Sequence, residues 1–106
     1  MTNHHRIHQL LELLKEDPED AFLQYALGLE YLKMSDLTAA RAVFENLIAS
    51  QPDYLATYYQ LGKVFQTLQD SAAAITTYRS GIKIAEKQRN NHTLAELRGE
   101  IGRAHV

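Results

Sequence analysis

A chain of 106 residues has the length of one small domain, and its 45% hydrophobic and 23% charged residues give the balance of a folded globular protein. A net charge of −2 offers no basic face for nucleic acid, and the absence of cysteine excludes disulfides, thiolate metal sites and cysteine nucleophiles. No apolar run approaches the ~20 residues that span a bilayer, and Gln9 and Glu12 interrupt the stretch a signal peptide would need, so a cytoplasmic protein is expected, without membrane association.

The first predicted element is a helix over 4–16. Ile7, Leu10, Leu11 and Leu14 follow an i, i+3, i+4, i+7 spacing and form a one-sided apolar stripe suited to covering a neighbouring hairpin. His4, His5 and His8 lie in the same segment, and zinc sites do use histidines one helical turn apart. No cysteine and no converging carboxylate beyond Glu12 accompany them, so a solvated helix end is expected and no metal site. The acidic run Glu16, Asp17, Glu19, Asp20 crosses a loop into a helix start, where carboxylates suit the helix dipole and caps better than acid–base chemistry.

Further helices are predicted over 19–34, 37–50, 54–68, 71–88 and 92–104. The only prolines, Pro18 and Pro52, are 34 residues apart, and a shift of 34 lays Ala21–Tyr54 over Leu55–Gln88. Seven pairs are then identical, among them Tyr25/Tyr59, Leu27/Leu61, Gly28/Gly62, Asp36/Asp70 and Ala40/Ala74, with Tyr31/Phe65 and Phe44/Tyr78 conservative. Inside each unit the apolar period is helical. Asp36 and Asp70 fall where the second helix of each hairpin should start and suit its N-cap, while the prolines fit the first turn of the helix that follows. Gly28 and Gly62 stand mid-helix, where glycine costs about 1 kcal/mol relative to alanine, so each should face a closely approaching helix, with Ala40 and Ala74 as the expected contacts.

After Asn90-Asn91, a break and cap, Leu94, Leu97 and Ile101 form the last stripe. It is expected to cover the second hairpin around Val64, Leu68 and Ile82, leaving Glu96, Arg98, Glu100 and Arg103 on the other faces. No Gly-rich phosphate loop, nucleophile elbow or His-Glu-x-x-His motif occurs, so neither catalytic residues nor a cofactor is expected.

The order Leu27-Gly28-x-x-Tyr31, Ala40, Phe44, Pro52, repeated as Tyr58, Leu61-Gly62-x-x-Phe65, Ala74, Tyr78, resembles the tetratricopeptide repeat. Gln24 departs from it by replacing a large aromatic, Leu47 and Gly81 by replacing a small alanine, and Glu86 by replacing the closing proline, which should let the last helix of the second unit run on towards Asn90. The resemblance implies an all-α fold: two helical hairpins, 21–54 and 55–88, in a right-handed solenoid. An N-terminal helix (4–16) and a C-terminal capping helix (91–105) flank them within a single domain, 1–106. It also implies that the first helices line a concave groove, faced by Phe22, Tyr25, Leu29 and Leu32 in the first unit and by Ala56, Tyr59, Lys63 and Gln66 in the second. Relatives that clamp the C-terminal carboxylate of chaperones use Lys and Asn at the fifth and ninth groove positions. Here these are Tyr25, Leu29, Tyr59 and Lys63, which do not make that clamp. The function so implied is the binding of a peptide or helix of a partner protein along the groove. A homodimer whose groove is filled by a second copy is the alternative.

Overall fold

The computed structural model describes residues 3–105, and among them every regular element is an α-helix: α1 (Asn3–Glu16), α2 (Ala21–Lys33), α3 (Leu37–Ser50), α4 (Ala56–Thr67), α5 (Ser71–Gln88) and α6 (Asn91–Ala104). The chain divides into two compact units, Met1–Tyr54 and Leu55–Val106. In the first, α2 packs against both α1 and α3; in the second, α5 packs against both α4 and α6. The linking turns within each unit span only two to four residues, which makes neighbouring helices antiparallel.

Three of these turns share one construction. Ser35, Gln69 and Arg89 adopt left-handed backbone, with φ of 59°, 62° and 57°. The next N–H then turns back to a carbonyl five residues earlier: Asp36 to Tyr31, Asp70 to Phe65 and Asn90 to Ala85, each at 2.9 Å. This closes the outgoing helix as a Schellman motif. Asp36, Asp70 and Asn90 also open the incoming helix, since their side chains accept from the N–H groups of Ala39, Ala73 and Thr93 at 3.0–3.1 Å. One residue thus satisfies orphan backbone groups of two helices, which explains how turns of two or three residues suffice.

The prolines behave differently from the sequence expectation. α2 begins at Ala21 behind the cap Asp20, which accepts from Leu23 at 3.0 Å, and α4 begins at Ala56, so Pro18 and Pro52 lie in turns rather than in a first helical turn. Each proline stands two residues past the end of the preceding helix, where it stops that helix from continuing.

In the first unit Ile7, Leu10 and Leu27 form a buried cluster, joined by Leu14, Leu23 and Tyr31, while Leu11 of the expected stripe remains 41% exposed. Phe44, Ala40 and Leu47 of α3 are fully buried, as are Ala74 and Tyr78 of α5. The mid-helix glycines do face a tight contact, but its nearest atoms are not those of Ala40 and Ala74. A Cβ on Gly28 would come within 2.3 Å of the Phe44 ring, and one on Gly62 within 2.1 Å of the Tyr78 ring. The ring four residues beyond each alanine is what fills the space. Gly81, at a position where alanine is usual in such repeats, lies under Tyr58 and Leu97 and leaves no room for a methyl group.

α5 does run on to Gln88, and α6 then lies along it. Its buried residues are Leu97, Glu100 and Ala104, with Leu94 and Ile101 half-buried. The expected docking surface is therefore corrected in two ways: Leu68 stays 43% exposed, and Glu100 is 94% buried instead of lying on an outer face. The reason lies in the neighbours of Glu100.

Candidate functional site

Of the residues expected to face a partner in the first unit, Phe22 is the most open, at 64% exposure, the largest value among the exposed large hydrophobic residues. Tyr25 lies one turn further along α2, and Leu29 and Leu32 continue the same side; all three are half-buried. Tyr25 is held from both sides: its ring lies 6.0 Å from that of Phe44 and 5.7 Å from that of Tyr54, tilted by 48° and 54°. Part of this strip is therefore fixed by the core of the unit, which the spacing of residues alone does not reveal. Burial first, then the neighbouring Tyr25 and Asp20, raises the Tyr54 hydroxyl above the ordinary phenol pKa.

The turns at 17–20 and 51–54 meet at this end of the unit, because the Gln51 amide donates to the carbonyl oxygen of Glu19. Gln24, in place of the usual aromatic, donates to the Pro18 carbonyl at 2.7 Å, and its Oε1 is buried without a hydrogen-bond partner. The substitution thus exchanges an apolar wedge for a strap on the turn.

In the second unit the candidate residues are drawn into a polar cluster. Lys63 Nζ lies 3.4 Å from Glu100 Oε1 and 6.0 Å from the centre of the Tyr59 ring, the outer range of a cation–π contact. Glu100 also receives Arg103 at 2.9 Å. Gln66 accepts from the Tyr78 hydroxyl, which burial, followed by the nearby Glu100 carboxylate, pushes far above its ordinary value. Ala56 is exposed but adds no functional group. Lys63 and Gln66 thus have their polar atoms already engaged, with the Tyr59 ring beside Lys63.

Glu100 is not marked by the apolar spacing of α6, yet the sequence holds a signal for it. Glu30 of α2 is 93% buried, pairs with Lys33 at 3.1 Å and approaches Arg6 of α1 at 4.0 Å. Asp20/Asn90, Leu27/Leu97, Glu30/Glu100 and Lys33/Arg103 all fall 70 residues apart, so α6 carries the register of a first helix. Each buried carboxylate is bound by a cation one turn on and another on a second helix, which offsets its desolvation.

His4, His5 and His8 are exposed on α1, and among the described residues no three His, Asp or Glu side chains gather as a metal-binding set. No described helix is long and apolar enough to cross a membrane.

The family model described as tetratricopeptide repeat matches residues 23–54 and 55–88. A tetratricopeptide repeat domain protein from Salinibacter ruber, solved in solution, is 42% identical with a TM-score of 0.79, covering 83% of this chain and 89% of its own. A crystal structure of such a protein from the same organism gives 40% identity, a TM-score of 0.78 and coverage of 81% and 97%. The TPR2B domain of yeast Sti1, in its pHsp70 complex, has the same fold at 18% identity, with a TM-score of 0.87 over 93% of this chain and 79% of that one. No curated protein sequence matches the chain.

Proposed function

Because the chain belongs to the tetratricopeptide repeat family, we propose that it is a non-catalytic interaction module, a single domain that binds an extended or helical segment of another protein. The segment lies against the first helix of a unit, on Phe22, Tyr25, Leu29 and Leu32 of α2 or, in the second unit, on Tyr59, Lys63 and Gln66 of α4. The observation that supports this reading is the 64% exposure of Phe22 beside a tyrosine already fixed by two rings. An exposed aromatic at the head of a rigid, half-exposed apolar strip is costly in water and suits a partner's side chains. Peptide capture by a neighbour of this fold, as in the Sti1 complex with pHsp70, points the same way.

Panning a displayed library of random dodecapeptides against the intact chain tests the reading. Enriched peptides should lose binding to Phe22→Ala and Leu29→Glu variants that melt normally. A library with no enrichment, or peptides indifferent to both substitutions, would overturn it. The alternative, a second copy filling the same strip, predicts twice the chain mass in light scattering and a return to monomer on Leu29→Glu.

A further inference from the structure

The two units differ in charge far more than the net value suggests. Residues 1–54 hold four Lys and Arg against nine Asp and Glu, a net of −5, whereas residues 55–106 hold seven against four, a net of +3. In the first unit, carboxylates gather where the aromatic strip begins. Glu19 and Asp53 are exposed and Asp20 half-exposed, on the two turns that the Gln51–Glu19 contact joins. A recess at that end is lined by Gln51, Pro52, Asp53 and Tyr54, and Tyr54 carries its ring onto Tyr25. Asp20 is near enough to Tyr54 to help hold its proton on. The first unit therefore presents the exposed Phe22 ring and the tilted pair Tyr25 and Tyr54 beside a group of carboxylates.

Aromatic rings beside carboxylates attract cations twice over, through the ring quadrupole and through charge, and an arginine side chain also stacks its planar head on such rings. A partner with acidic side chains would meet like charge. Resting on the proposed peptide binding, we propose that the segment held on the first unit carries arginine or lysine side chains, laid over Phe22, Tyr25 and Tyr54 with their charges towards Glu19, Asp20 and Asp53. The preference is opposite in sign to a carboxylate clamp and is a property of the first unit alone.

The test uses three fluorescein-labelled dodecapeptides sharing one Leu/Ala framework, with Arg, Gln or Glu at the remaining positions, titrated against the intact chain by fluorescence anisotropy. The Arg peptide should bind at least about tenfold more tightly than the Glu peptide, and the gap should narrow as salt rises. Phe22→Ala, and separately the pair Glu19→Gln with Asp53→Asn, should each weaken the Arg peptide about threefold or more, while Lys83→Ala, at an exposed cation of α5, leaves it unchanged. All these side chains are at least partly exposed, and melting curves confirm that the variants fold. Equal affinity for the three peptides would overturn the charge preference while leaving the binding surface intact. Arg-peptide binding that ignores Phe22→Ala would reduce it to diffuse attraction and also overturn it. Absence of binding by all three sinks the inference, whereas the peptide library decides the broader reading independently.

Discussion

Replacing Gly62 by alanine should destabilise the protein, although the same change at an exposed helical glycine stabilises. The added Cβ would lie 2.1, 2.4 and 2.6 Å from three carbons of the Tyr78 ring, and ordinary contact needs more than 3.4 Å, so the ring must retreat by over an ångström. Tyr78 is fully buried and its hydroxyl is bound to Gln66, so it cannot swing into solvent. Overpacking of this kind costs about 1–3 kcal/mol. Loss of the hydroxyl contact adds about 0.5–1.5 kcal/mol. The gain from replacing a mid-helix glycine offsets about 1 kcal/mol of this, leaving a net loss of about 0.5–3.5 kcal/mol. Gly102 on α6 supplies the internal control, since a Cβ there meets nothing within 4 Å. Gly102→Ala should therefore stabilise by up to about 1 kcal/mol. Urea unfolding followed by circular dichroism reads both. A neutral or stabilising Gly62→Ala would refute this packing of glycine against ring, and so would equal effects at the two sites.

Other outcomes follow from the same contacts. Ser35→Gly and Gln69→Gly should each raise the unfolding midpoint, by up to about 1 kcal/mol, because glycine adopts their left-handed backbone without strain; a loss at both would contradict the turn geometry. Leu97→Ala should cost about 2–5 kcal/mol in urea unfolding, as Leu97 is fully buried against Gly81 of α5. Deleting residues 91–106 should lower the melting temperature further and promote association through bared α5 surface, measured by light scattering during the melt. Tyr54 and Tyr78 hold their protons above the ordinary value of 10.0 when folded. Their contribution is thus complete below that pH and is lost as pH rises beyond it, since the unfolded chain releases protons that the folded one keeps. Phenolate absorbance should show Tyr78 ionising only as helicity is lost and Tyr54 ionising later than an ordinary tyrosine; early ionisation of all six tyrosines would rule this out.

The residues that recur at 34 made the helical hairpins legible, and Asp36 and Asp70 marked helix starts to the residue. What stayed hidden depends on how one helix is rotated against another. Sequence distance made Ala40 and Ala74 the obvious partners of the glycines, but the azimuth of the packed helix brings Phe44 and Tyr78 there instead. The left-handed turn residues gave no sign because Ser35, Gln69 and Arg89 are not the glycines that such positions favour. Glu100 looked like a surface charge because the cations that make its burial tolerable, Lys63 and Arg103, come together only when α6 is in place. In the candidate site, the side of α2 carrying Phe22 was readable. That Tyr25 is braced by Tyr54, and that two acidic turns close around them, required the contact between Gln51 and Glu19.

An amide chemical-shift map of the isotope-labelled chain, titrated with a peptide enriched from the dodecapeptide library, tests the central claim most directly. The largest changes should fall on Phe22, Tyr25, Leu29 and Leu32 of α2 or on Tyr59, Lys63 and Gln66 of α4. Changes concentrated instead on the exposed faces of α3 and α5, at Arg41, Glu45, Arg79 and Lys83, with the first helices silent, would contradict it.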